Sequence, residues 1–389
     1  MNRTLHFDLI VIGAGPSGSA AACWAARSGL KVALIDKHPF PRDKLCGGAF
    51  TERAMGLYRQ IFAQNDLGAP YVARDAVEFY AFGSPLGQLH SPAPLRLTMR
   101  RSLDAHLFEL AINAGAQDFT GSRITGLSTD PVRVNLGHSV LTAPVLIGAD
   151  GVNSFVARHL FGKAFEPDQI GFALEVEAVG LSPDLPLRID FGAANWGYGW
   201  QFPKADSTTI GIGGIHARNP DMRRDMLHYL KTLGIADAPK VKGQYLPFGF
   251  ARTKPGKAHV LLAGDAAGLV DPITGEGIAF ALQSGKMAAD AAQTALHEGR
   301  PEAALSIYRA QLRPLHLAMW QARQLRHLLF NPTLRRPFLN GFQRSSTMKN
   351  AYMQLLSGQT EYSEISRKIL TKMPRLLMRA ATPIGAPKF

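Results

Sequence analysis

The sequence predicts an α/β protein: a parallel-sheet, dinucleotide-binding domain interrupted by an antiparallel β-rich domain and followed by a C-terminal helical region. Three observations carry this. Two glycine-rich signatures lie about 250 residues apart, Gly13-Ala-Gly15-Pro16-Ser17-Gly18 and Gly264-Asp265 with Pro272 and Gly275-Glu276-Gly277. Between them, residues 165–250 alternate β-branched and aromatic residues with other types, the period of a sheet. Beyond them, residues 301–389 mix Leu and Met with Arg and Lys at helical spacing.

The elements follow in order. Residues 7–12 are an almost continuous apolar run, as a parallel strand buried on both faces requires. After the glycines, Ser19–Arg27 reads as a helix stopped by Gly29, and Lys31–Ile35 as a second strand closing on Asp36. In this order Gly13 allows the tight turn, Gly15 lets the backbone approach a pyrophosphate, and Gly18 lets helix pack on strand. Pro16, Ser17 and the helix N-terminus supply the rest of an anion site. Asp36, 18 residues past Gly18, is placed for adenosine ribose hydroxyls, with Lys37 beside it. Prolines and paired glycines make residues 37–51 a loop, with a helix from Glu52. Residues 70–98 alternate and turn as strands. Arg100–Gly115 returns to helix, and strand Val145–Ala149 meets Asp150-Gly151 and a helix through Arg158. Strands are expected at Gly171–Val179, Leu187–Phe191, Gly199–Phe202 and Thr208–Gly213. Residues 258–264 form another buried strand, and Gly277–Leu296 a long small-residue helix.

The downstream signature complements the first. Gly264-Asp265 ends a strand, so the carboxylate can reach hydroxyls of a ribityl or pyrophosphate region. Gly275 and Gly277 let the backbone press on a flat ring, and the helix entered at Ile278 aims its positive end at that ring. One extended cofactor gripped from both ends of the chain points to FAD. The expected segments are 1–70, 100–163 and 256–305 for the cofactor domain, 71–99 and 164–255 for the inserted domain, and 306–389 for the helical region.

Composition bounds the alternatives. The chain has 389 residues, 46% of them hydrophobic, and only two cysteines, Cys23 and Cys46. A disulfide framework is not expected, and neither is a metal site, since the histidines show no ligand spacing. No stretch approaches the roughly 18 uninterrupted apolar residues of a spanning helix, and the N-terminus has no signal-peptide layout. The net charge is +13, and residues 301–389 hold 14 Lys/Arg against three Glu and no Asp. The runs Leu315–Leu329 and Ile365–Met378, the second interrupted by Pro374, offer a basic amphipathic face. Such a face suits an anionic membrane surface or an acidic carrier or peptide partner, and is equally consistent with a solvated helical cap. No nucleic-acid module is present. A cytoplasmic protein, peripheral to the inner face of the membrane, is the expectation.

Together the glycine set with Asp36, Arg101 in Arg-Ser-Leu-Asp104, Gly148-Ala-Asp150-Gly151-Val-Asn-Ser154, and Gly264-Asp265 with Pro272 and Gly275–Gly277 resemble the FAD-dependent enzymes of the para-hydroxybenzoate hydroxylase-type fold. Within that group the chain is most similar to the geranylgeranyl reductase family. Lys44-Leu-Cys46-Gly47-Gly48 looks like that family's Cys-Gly-Gly loop, and Tyr198-Gly-Trp200-Gln-Phe202-Pro203 like its aromatic motif. The resemblance implies a glutathione reductase-like Rossmann domain and an arginine, Arg101, on the cofactor. It also implies a pocket lined by Tyr198, Trp200 and Phe202, with Cys46, Tyr198 and Trp200 as the catalytic candidates. The implied reaction is reduction of carbon–carbon double bonds in a prenyl or lipidic substrate by hydride transfer from reduced flavin. The aromatic motif is also a conservative variant of a halogenase segment. The alternative is therefore a monooxygenase or halogenase acting on an aromatic substrate (free, carrier-bound or peptidyl tryptophan) through a flavin hydroperoxide. The chain has no second dinucleotide signature, so the electron donor is either transiently bound NAD(P)H or a redox protein.

Overall fold

The computed structural model describes residues 3–182, 184–235 and 240–364; the run Ile365–Met378, with Pro374, lies outside the described residues. Its architecture is the expected mixed α/β one. A six-stranded sheet runs in the order Gly256–Lys257, Val260–Leu262, Val145–Gly148, Leu9–Ile12, Val32–Asp36, Gln117–Thr120. The last five are mutually parallel and the first pairs antiparallel. Every residue of Leu9–Ile12, Val32–Asp36, Val145–Gly148 and Val260–Leu262 is buried, which explains their unbroken apolar reading. The first helix spans Pro16–Arg27 and so begins three residues before the expected Ser19. Proline fits the first helical turn, where its missing N–H would have had no partner. This helix packs on Ile278–His297 so closely that a Cβ at Gly285 would overlap the Ser17 carbonyl oxygen. The alanines of both helices serve that approach.

The inserted domain is an eight-stranded sheet, ordered Lys242–Leu246, Gly171–Ala178, Thr208–Ile215, Tyr198–Pro203, Leu187–Phe191, Tyr71–Ala81, Ser84–Thr98, Ala49–Phe50. All its pairings are antiparallel except that of Leu187–Phe191 with Tyr71–Ala81, which joins the two insertions. The register sets Glu175 opposite Gly211 and Gly211 opposite Trp200. Opposed residues share a face, so this row points one way. A small third sheet, formed by Arg3–His6, Ser139–Thr142, Val132–Asn135 and Gly126–Thr129, was not anticipated.

The described part of the basic C-terminal region is built into the body. The first half of helix Ala304–Phe330 buries Tyr308, Leu312, Leu315 and Met319 against the core of the parallel sheet. Its second half, with helices Pro332–Arg344 and Ser346–Leu356, covers the large sheet. There Phe342 meets Phe79 and Tyr352 with ring centroids 5.7 Å apart in each pair. Each such fully buried aromatic contributes about 1.5–3 kcal/mol.

Candidate active site

The turn after Leu9–Ile12 leaves no room for side chains where a nucleotide would lie. A Cβ at Gly18 would overlap the Gly13 carbonyl oxygen, and Gly13 itself sits at φ +98° against Ala149. Gly15 is different: the space a Cβ would enter is faced by Arg42 Nη2 at 3.5 Å and Arg100 Nη2 at 4.0 Å. Two guanidinium groups thus converge over the helix N-terminus. Beside them the Ser17 hydroxyl is buried without a hydrogen-bond partner. Asp36, buried at its strand end, accepts from the Ala14 N–H (2.9 Å) and the His38 N–H (3.0 Å). An orphaned hydroxyl, free helix N–H groups and paired arginines fit a pyrophosphate, with Asp36 at the ribose beyond it.

At the other end, no described group donates a hydrogen bond to the Asp265 carboxylate. Burial raises its pKa, with Lys44 and then Arg100 opposing. The half-buried Lys44 is pushed down by burial and by Arg100, against the pull of Asp265, Cys46 and Asp104. Cys46 receives the Gly48 N–H at 3.4 Å and lies beside the Arg100 guanidinium. The turn 271–277 is rigidly held. Asp271 accepts from the Ile273 and Thr274 N–H groups, both at 2.8 Å, and Glu276 accepts from the Thr51 hydroxyl and from Arg53 Nη1 (2.6 Å). Buried Pro272 and Ile278 flank the half-buried Gly275 and Gly277.

The aromatic strand joins these two parts. The Tyr198 hydroxyl donates to the Thr274 carbonyl oxygen, and a Cβ at Gly275 would stand 2.8 Å from it. Trp200 lies flat across Gly211 and Gly213, glycines that leave room for the indole. Its buried Nε1 donates to nothing and faces Gly47, at 3.5 Å from where a Cβ would sit there. Phe202 closes on Gly47 from the other side, at 2.8 Å from the same point. Tyr198, Trp200, Phe202, Cys46, Gly47 and Gly275 therefore form one continuous surface.

Two of the expected cofactor residues make other contacts in the described structure. Arg101 is turned outward, its side chain 54% exposed and 3.7 Å from Asp43. Its neighbour Arg100 points inward instead, toward Gly15, and is bidentate to the fully buried Asp104 at 2.6 and 2.8 Å. The four-residue spacing of Arg100 and Asp104 on one helix face is the signal that separates them. Asp150 uses its carboxylate to start helix Phe155–Phe161, accepting from Ser154 Oγ (2.5 Å) and the Phe155 and Val156 N–H groups (2.6 and 3.2 Å). It thereby fixes the turn at Gly151, which sits at φ +76°. Lys37 is exposed at the mouth of the nucleotide end. Sequence reasoning missed Arg42, Arg100, Asp104 and the buried pair Glu175 and Lys204, which lie behind the Cys46 loop.

Residues 8–151 match the FAD-dependent oxidoreductase family model. A menaquinone reductase of Mycobacterium tuberculosis is 32% identical over 310 residues, 73% of this chain and 76% of the relative. A digeranylgeranylglycerophospholipid reductase of Methanosarcina acetivorans is 30% identical over 326 residues, 75% of this chain and 76% of the relative. The chain belongs to the geranylgeranyl reductase family of FAD-dependent oxidoreductases. A geranylgeranyl bacteriochlorophyll reductase-like structure from Thermoplasma acidophilum superimposes on 95% of this chain and 99% of its own, with TM-score 0.79 at 23% identity. The fold is accordingly that of the para-hydroxybenzoate hydroxylase type. As in other geranylgeranyl reductase family members, the implied cofactor is FAD, and the two-ended cradle fits it.

Proposed function

We propose that this reductase saturates carbon–carbon double bonds of a prenyl or similarly lipidic substrate. The observation that carries the reading is the continuous surface of Tyr198, Trp200 and Phe202 against the Cys46 loop and the Gly275 turn. Gly13, Gly15, Pro16, Ser17, Gly18, Arg42 and Arg100 would hold the pyrophosphate, Asp36 with Lys37 the adenosine, and Asp265 the ribityl hydroxyls. Gly47, Gly48, Gly275, Gly277 and Ile278 would border the flavin ring. A bound, reduced flavin would supply hydride chemistry to one alkene carbon. Cys46 then delivers the proton from its Sγ to the neighbouring carbon, and Arg100 with the Gly48 N–H holds the thiolate charge that remains. Tyr198, Trp200 and Phe202 exclude water and position the chain. Anaerobic incubation of the chemically reduced enzyme with a panel of prenyl lipids tests this. A product gaining two hydrogens is expected; no reduction across the panel, or product only in oxygen, overturns it.

A second surface supports work at a membrane. Among the described residues no helix is long and apolar enough to cross one. Helix Ala304–Phe330 nevertheless exposes Leu317 (53%), Trp320 (59%) and Leu328 (38%) on one face with Arg313. Leucine and tryptophan with arginine on one exposed face suit an interfacial position on anionic lipid. Co-sedimentation with anionic vesicles should be lost in Trp320→Glu; unchanged binding would sink this docking face.

A further inference from the structure

We propose that Arg218, Arg326 and His327, gathered around Trp196, with Arg323 near Arg326 and His327, bind the phosphate or diphosphate head of an apolar chain. The inference rests on the prenyl-lipid reading above and narrows it. Arg218 and Arg326 stand over the Trp196 ring at 4.6 and 5.6 Å, and the His327 ring meets its edge at 4.9 Å. Three arginines in one place ordinarily come with carboxylates. Among the described residues none of these three forms an ion pair, and Arg323 has only the neutral Gln169 Oε1 at 3.1 Å. Arg326 is packed against Gly249, and its Nε and Nη1 are buried with no hydrogen-bond partner. Burial lowers Arg326 to about 10, and Arg323 and Arg218 push the same way. His327 is lowered by burial and by the same arginines.

A buried guanidinium without a counterion is costly, and a phosphate supplies the missing acceptors in the planar geometry arginine matches. Trp196 itself is held at φ +53°, a conformation bulky residues rarely adopt. Such strain is characteristic of ligand clamps. The surroundings supply the rest of an amphiphile site. Trp196 lines a small cleft with Phe82, Phe191, Leu329 and Phe330. From Trp196 the chain turns directly into the aromatic strand Tyr198–Pro203, and Trp200 lies four residues on. A head group at Trp196 would therefore leave an apolar chain beside the reacting surface. An uncharged quinone head would supply no counterion to these cations.

Calorimetric titration of the full-length flavoprotein with geranylgeranyl diphosphate, geranylgeraniol and inorganic diphosphate, and with phosphatidylglycerol vesicles, tests the site in wild type, Arg218→Gln and Arg326→Gln. The diphosphate should bind roughly ten- to a hundredfold more tightly than the alcohol, the worth of a charge-assisted hydrogen bond, and either substitution should erase the difference. Arg326→Gln should melt close to wild type, since the Arg326 Nε and Nη1 have no hydrogen-bond partner to lose. Sensitivity of only the vesicle arm to the substitutions would support the same head-group chemistry drawn from the bilayer. Equal binding of alcohol and diphosphate, or a preference that survives both substitutions, overturns the site. Diphosphate bound through these arginines without double-bond reduction would leave the site standing and sink the reductase reading instead.

Discussion

The Tyr362 hydroxyl donates a 2.7 Å hydrogen bond to the buried carboxylate of Asp271, ninety-one positions earlier in the chain. That carboxylate also holds the Ile273 and Thr274 N–H groups of the flavin-side turn. The end of the described chain therefore fixes the segment against which the flavin would lie. Arg53 strengthens the link, pairing with Glu276 of the same turn at 2.6 Å and with the Thr360 carbonyl oxygen at 3.2 Å. Tyr362→Phe should weaken FAD binding about tenfold to a hundredfold, as loss of one hydrogen bond to a charged group implies. Fluorescence titration of the apoprotein with FAD measures it, and an unchanged Kd would show that the contact does not reach the cofactor.

Arg100 and Arg101 should behave oppositely. Arg100→Ala deprives the fully buried Asp104 of its bidentate partner, leaving only Arg42 at 3.3 Å. A loss of roughly 3 kcal/mol is expected, the cost of breaking a buried pair, together with loss of bound FAD. Arg101→Ala should stay within about 0.5 kcal/mol, as exposed pairs do. Denaturant melts of the two variants, with flavin content read at the visible bands, distinguish them.

Glu175 should make stability depend on pH. Burial raises it from the usual 4.5 to about 7, with Lys204 opposing and Glu177 reinforcing. The contribution of this residue is fully present below about pH 4.5, where it is protonated folded or unfolded. It is lost as pH rises toward about 7 and is flat above, at most about 3 kcal/mol in all. Glu175→Gln should therefore raise the melting temperature near pH 8 and leave it unchanged near pH 4. A gain that is the same at both would refute the assignment.

Gly47→Ala tests the contact between loop and aromatic strand. The added methyl would meet the Phe202 ring at 2.8 Å and displace either the ring or the Cys46 segment. Displacement of about 1 Å at a reacting surface costs on the order of a hundredfold in rate. Turnover should fall while FAD content holds, and a variant with full activity would remove the loop from the reaction surface.

The parts of this architecture that were legible in the sequence are those written in local pattern. Leu9–Ile12, Val32–Asp36 and Val145–Gly148 are buried on both faces, so their apolar runs announce them. The third sheet was illegible because its strands are four residues long and carry polar residues such as Arg3, Arg133 and Ser139. The choice between Arg100 and Arg101 required helix phase, which adjacent arginines hide. The role of the C-terminal helices was hidden for a different reason. Their Arg and Lys content describes the outer face, whereas Phe342, Tyr352 and Met353 find their partners in strands more than 150 residues away. Burial against distant strands leaves no local periodicity of its own. The cluster around Trp196 likewise brings together Arg218 and Arg326 from separate segments.

The parallel pairing of Leu187–Phe191 with Tyr71–Ala81 governs how the protein can come into being. A growing chain emerging from the ribosome can complete neither lobe in turn, because the segments of each alternate along the sequence with those of the other. The first hairpin must wait for its neighbour, and the nucleotide sheet must wait for Val260–Leu262. Release of the last helices then closes both lobes together. Long-range pairing of this kind slows folding and favours one cooperative unit over separable domains. Limited truncation from the C-terminus should accordingly yield aggregates, with no surviving flavin-binding fragment.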